Sequence, residues 1–153
     1  MEYTQETELI KHLTDEVEKL LPLFMSDPID KSIADGNLAF CVVTGEGHIS
    51  GKMFGTDVNR QRGSCRIAMQ KAMQVWITGV ATGKYEQLVY SNALDWQDYG
   101  IPKPEFIGWD GGLPAEFSDG TKLAIAFSGF RGEMDCEIIR KAVKEVPGIS
   151  LIE

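Results

Sequence analysis

Cysteine is scarce in this chain. Its three residues, Cys41, Cys65 and Cys136, are an odd number, show no C-x-x-C step and sit among apolar or helical neighbours. A disulfide framework of the secreted type is thereby excluded, and buried thiols in a reducing compartment are expected. Histidine is scarcer still, with His12 and His48 alone and no H-x-x-x-H spacing, so no zinc-ligand pattern is present. The G-x-S-x-G elbow of a hydrolytic serine is missing as well. No apolar run approaches the roughly 20 residues that cross a bilayer. The opening MEYTQETELIK is acidic and lacks the basic start and apolar stretch of a signal peptide, which predicts a soluble, cytoplasmic protein. Positive charge is in deficit: 15 Lys and Arg against 23 Asp and Glu give a net charge of -8. Such a field repels phosphate backbones and anionic lipids, and neither nucleic acid nor membrane is an expected partner. Without internal repeats or low-complexity tracts, residues 1–153 read as one domain of ordinary size.

What the chain does contain is alternating and helical periodicity. Leu9, Ile10, Leu13, Val17, Leu20, Leu21 and Phe24 predict an amphipathic helix over residues 4 to 24, with Thr4 as N-cap and Pro22 fraying its end. A polar linker, SDPIDKSIADGN, follows. LAFCVVT and HISGKMF, joined by GEG, read as an antiparallel hairpin. GTDVNRQRG reads as a loop into a second helix capped by Ser64 and stopped near Gly79, whose Ala68 and Ala72 make a flat face able to press closely on a sheet. QLVYSN predicts a short strand. The long segment ALDWQDYGIPKPEFIGWDGG, with Trp96, Tyr99, Phe106 and Trp109, reads as a lid, binding loop or interface. TKLAIAF is the most apolar strand, and a last helix spans Asp135 to Val146 with Asp135 as its cap. This order predicts an α+β sandwich, an antiparallel sheet with helices packed against it.

Several of these pieces, in this order, resemble one known family. They are the hairpin LAFCVVTGEGHISGKMF, Ala68-x-x-Lys71-Ala72, Gly111-Gly112-Leu113-Pro114, Asp119-Gly120, Ser128-Gly129 and Asp135. The set is similar to the GlcG/HbpS haem-binding-like proteins, which include the C-terminal domain of PduO-type cobalamin adenosyltransferases. The resemblance implies a profilin-like three-layer α/β/α sandwich with a five-stranded antiparallel sheet, assembly into homo-oligomers and, in some members, binding of haem or a related tetrapyrrole. Two segments depart from the family pattern: the aromatic loop and GTDVNRQRG. Both lie where a ligand pocket or subunit contact is expected.

Haem requires an axial side chain and an apolar slot. His12 falls off the apolar stripe of its helix. In the resembling family an N-terminal-helix histidine ligates haem in some members, which makes His12 the first candidate and His48, at the start of the second hairpin strand, the second. Against both stands the ordinary reading of a surface histidine. Lys71 either pairs with an acid or reaches a ligand carboxylate, and Arg60 with Arg62 forms a basic island suited to a carboxylate or phosphate. Gly111, Gly112 and Pro114 shape the chain beside these groups, and Trp109 and Ser128 are further candidate ligand contacts. Three functions remain open: a small-molecule-binding protein for haem or a corrinoid-type ligand, an organic-acid enzyme with an inter-subunit site, and an assembly protein with no ligand.

Overall fold

The computed structural model describes residues 1–103 and 105–153, so Pro104, within the expected aromatic loop, lies outside the described residues. Helix α1 (Tyr3–Phe24) buries Ile10, Leu13, Val17 and Phe24 on one stripe and runs on through Pro22 in its last turn. Thr4 is not its cap, because the helix begins one residue earlier, behind Glu2, with no side-chain cap. The expected linker contains helix α2 (Pro28–Ala34). Asp27 Oδ1 caps it by accepting the N–H groups of Ile29 and Asp30 at 2.8 and 3.2 Å. Pro28 opens the helix where no N–H is needed, and Asp35 closes it at φ 46°. A helix this short carries its signals at its ends, so polar composition hid it.

Strands β1 (Leu38–Thr44) and β2 (Ile49–Phe54) form the expected hairpin, and His48 lies just before β2. Helix α3 (Val58–Thr78) starts six residues ahead of Ser64, because Asp57 accepts from the N–H groups of Asn59 and Arg60. Its first turns are therefore the segment expected to be a loop. Ser64 lies inside the helix and donates to the carbonyl of Asn37 at 2.9 Å. QLVYSN is not a strand. Its residues 87–90 close helix α4 (Thr82–Tyr90), which buries Thr82, Tyr85 and Val89 at helical spacing, a period that a window starting at Gln87 cannot display. One 3₁₀ turn at Trp96–Asp98 interrupts the following loop. Then come β3 (Gly112–Phe117), β4 (Lys122–Ser128), α5 (Gly132–Lys144) and β5 (Ile149–Leu151). Asp135 stands in the first turn of α5 and is not its N-cap.

The five strands form one antiparallel sheet in the order β2-β1-β4-β3-β5. Alternation separates its faces. Leu38, Phe40, Val42, Leu123, Ile125 and Phe127 meet α1 and α5, whereas Ala39, Cys41, Val43, Ala124 and Ala126 meet Ala68, Ala72 and Val75 of α3. Burying each large apolar side chain stabilises the fold by about 1.5–3 kcal/mol, so the first face supplies most of the burial energy. The second face supplies closeness. Alanine on alanine lets α3 lie near the strands, and the result is the three-layer α+β sandwich expected. Burial raises the Cys41 thiol to about 11, in keeping with a packing role. All three cysteines are free.

Candidate ligand site between α3, the aromatic loop and the start of α5

The Gly111-Gly112 step marks where β3 passes over a buried lysine. Gly111 has φ 116°, and a Cβ there would lie 2.7 Å from both Lys71 Nζ and the Phe127 carbonyl oxygen. At Gly112 a Cβ would lie 2.7 Å from Thr82 Cγ2. Lys71 itself is only 2% exposed. Its ammonium donates to Asp135 Oδ2 at 3.0 Å and to the Phe127 carbonyl at 3.1 Å. Asp135 Oδ1 accepts the Phe130 N–H at 2.9 Å. Burial pushes the Asp135 carboxyl up to about 7, against the opposing pull of the Lys71 ammonium.

A cavity of about 650 Å³ opens above this pair. Lys71, Asp135, Ser128, Ile33, Ile67 and Trp109 are among the residues that line it. Ser128 is 7% exposed and its hydroxyl makes no hydrogen bond to any described residue. The start of α5 closes the cavity without a side-chain cap. The N–H groups of Met134 and Asp135 bond to the Arg131 carbonyl, which leaves those of Gly132 and Glu133 as the open donors of the first turn. Gly132 is half-buried and Glu133 exposed, so water or a ligand can accept from both.

Arg131 is set by α2. Its Nε and Nη2 donate to Asp30 at 3.1 and 2.8 Å, its own N–H adds a third bond at 3.0 Å, and Asp27 accepts at 3.2 Å. The Arg131 hydrogen bond holds the Asp30 carboxyl below its ordinary value. Because Asp30 is depressed in the folded state, its contribution is full above the ordinary carboxylate range and fades as pH falls through the folded value. Asp30→Ala should cost about 1–3 kcal/mol at pH 7, since half-exposed Arg131 keeps access to water and to Asp27. That difference from wild type should shrink toward pH 3, as urea midpoints across pH would show.

The aromatic loop is mounted on two helices. Gln74, buried in α3, gives Nε2–H to the Ile107 carbonyl at 2.9 Å and takes the Ile107 N–H on Oε1 at 2.8 Å. Thr82, buried in α4, donates to the Trp109 carbonyl at 2.6 Å and accepts the Gly112 N–H at 3.2 Å. The Trp109 side chain nonetheless stays 66% exposed. It separates the cavity from an adjoining hollow of about 620 Å³ bounded by Arg66, Gln70 and Phe106.

Of the sequence candidates, the structure brings Lys71, Trp109 and Ser128 around this cavity, with Gly111 packed behind Lys71. The others lie elsewhere. Arg60 reaches back to α2, bonding the Ile33 carbonyl and Asp35, and Arg62 sits on the exposed first turns of α3. Pro114 borders a separate groove of about 910 Å³ together with Cys136 and Arg140. His48 lines another hollow, of about 420 Å³, between α1 and β2, where Nδ1 lies 2.8 Å from buried Glu6 and Tyr3 meets its ring edge-on. His12 is on the outer face of α1, 3.5 Å from Glu16. Gln74, Thr82, Asp30 and Arg131 escaped the sequence reading. A buried Gln that binds backbone leaves no residue-type signature, although an arginine placed just before a helix could have marked Arg131.

No family model matches the chain, and no curated protein matches it. Solved structures do. The C-terminal domain of PduO, solved as a haem complex, covers 100% of this chain and 99% of its own at 14% identity, with TM-score 0.66. The fold is that of the GlcG/HbpS-like proteins. HbpS covers 91% of this chain and 87% of its own at 14% identity, with TM-score 0.62. The Klebsiella pneumoniae protein ORFY covers 90% and 86% at 20% identity, with TM-score 0.61. These neighbours share the architecture that the sequence motifs resemble. Among the described residues, no helix is long and apolar enough to cross a membrane.

Proposed function

We propose that the protein binds a small molecule in the cavity above Lys71 and Asp135. The observation that carries this reading is the Ser128 hydroxyl, which makes no hydrogen bond to any described residue and opens into the same cavity as the uncapped start of α5. A ligand with acceptor oxygens satisfies both. The reading includes one domain over residues 1–153, a cytoplasmic setting supported by the three free thiols, and self-association. Self-association is supported by edge strand β2, which exposes Ile49 and Met53 near the exposed Trp76 of α3. An organic acid fits the cavity as binder or substrate, and no catalytic role is assigned. Differential scanning fluorimetry with lactate and benzoate at about 10 mM tests it, since binding to the native state alone raises the melting temperature by mass action. Wild type should shift and Ser128→Ala should shift less. An equal shift in both proteins would remove the site.

A second reading, haem binding, is favoured by the haem-complexed neighbour and by His48. The residues in the His48 hollow fit the group in part: Glu6 fixes one ring nitrogen, as carboxylates do behind metal-ligating histidines, and Tyr3, Ile10 and Ile49 supply apolar surface, while Lys11 and Lys52 line the hollow paired with Asp15 and Glu18. Bound there, haem would supply an iron centre. His12 would serve only at a contact between copies. Hemin titration followed at the Soret band should saturate at a fixed subunit ratio and be lost in His48→Ala or His12→Ala. Non-saturating binding equal in all three proteins would exclude haem.

A further inference from the structure

We infer that the cavity ligand is a planar, conjugated compound of low charge, neutral or a monoanion, that stacks on Trp109 and places an acceptor oxygen at Ser128 and the start of α5. This deepens the cavity reading above and rests on it. Trp109 is an exposed ring on an immobilised backbone. Two buried polar side chains from different helices, Gln74 and Thr82, bond the chain at Ile107 and at Trp109 itself. The indole gains little burial from this anchoring. A rigid aromatic face beside a cavity is suited to stacking, which is strong for conjugated rings and indifferent to their substituents. Gly108, just before it, lies against the Glu86 carboxylate, 2.1 Å from where a Cβ would sit, so a side chain there requires Glu86 to swing away.

Charge narrows the class further. Lys71 and Arg131 line the cavity, but so do Asp110, Glu133 and Asp135. Lys71 is engaged by Asp135, and Arg131 by Asp30 and Asp27. No uncommitted cation remains among the lining residues, so a phosphate ester or dicarboxylate would bring uncompensated charge into the site. One carboxylate or carbonyl, met by neutral N–H and O–H donors, is what the lining accommodates. Gln74 and Thr82 act as positioning residues.

Isothermal titration calorimetry with benzoate and cyclohexanecarboxylate separates ring planarity from charge and size, and riboflavin against its 5′-phosphate tests charge on a larger planar ring. Benzoate should bind about tenfold more tightly than its saturated analogue, and riboflavin more tightly than the phosphate. Trp109→Ala should erase the benzoate preference, Trp109→Phe should keep most of it, and Gln74→Ala should weaken it while the indole remains. Equal binding of benzoate and cyclohexanecarboxylate, weakened in Ser128→Ala, would overturn the planar class and leave the cavity reading standing. Absence of binding by all four compounds, with wild-type melting unchanged, would overturn both.

Discussion

Lys71→Met should lower the unfolding free energy by roughly 3–5 kcal/mol at neutral pH, a large part of the 5–15 kcal/mol typical of a domain. The reason is what remains behind. Asp135 is buried among Phe130, Gly129 and β4, and without the ammonium its charge keeps only backbone N–H partners. Asp135→Asn strands the lysine charge in the same way. Replacing both residues, Lys71→Met with Asp135→Leu, should recover most of the loss, because an apolar pair of similar volume removes the desolvation cost of both ions. pH separates the two singles. The Asp135 carboxyl already titrates near 7 when folded, well above its ordinary 3.8. Between those values the folded state holds a proton that the unfolded state has released, so this group's contribution declines as pH rises from about 4 to 7 and is flat above. Removing Lys71 raises the folded value further and widens that window upward. The Lys71→Met deficit should therefore be smallest near pH 5 and largest near pH 8. Urea midpoints at these two pH values decide it: a pH-independent deficit would mean that the pair is not the source.

Gly111→Ala should cost about as much, or abolish soluble expression, by a different route. Its φ of 116° is disfavoured for alanine, and the new methyl would meet the Phe127 carbonyl of central strand β4 at 2.7 Å. Strain alone is about 1–3 kcal/mol. The clash adds to it because a carbonyl in the middle of a sheet cannot step aside. Gly120→Ala is the control, since φ is 85° there but nothing lies within 4 Å of the added Cβ. It should show the conformational cost alone, about 1–2 kcal/mol. Equal losses at the two positions would show that β3 does not depend on its close approach to Lys71.

These two variants also show what the sequence could and could not reveal. The Gly-Gly-x-Pro step was legible as a place needing close backbone approach, and Ala68 with Ala72 as a helix face made for a sheet. Both are local properties of residue type. What the glycines approach was not legible, because Lys71 and Asp135 are 64 residues apart and only the meeting of α3 and α5 at the end of β4 joins them. The α4 segment was misread for a related reason: Leu88, Val89 and Tyr90 suit either period, and the decisive contact is the burial of Tyr85 beneath Tyr99 and Phe106 from the following loop. Asp57 and Asp27 were visible as caps in principle. Ser64 and Asp135, equally good by residue type, drew the boundaries inward. Ser128 carried both a turn reading and a ligand-contact reading in the sequence, and the structure puts it in the cavity lining.

The mounting of the aromatic loop has a consequence for how this fold can change. Gln74 grips the main chain of Ile107 and Thr82 grips that of Trp109, so neither bond depends on which side chains those positions carry. The sheet and its alanine-packed helix make no demand on them either. Positions 107 and 109 are thus free to be exchanged while the backbone keeps its course, and a designer could replace the indole with another recognising group without rebuilding the scaffold. In this molecule, the part that chooses a partner molecule and the part that holds the chain together can be varied separately.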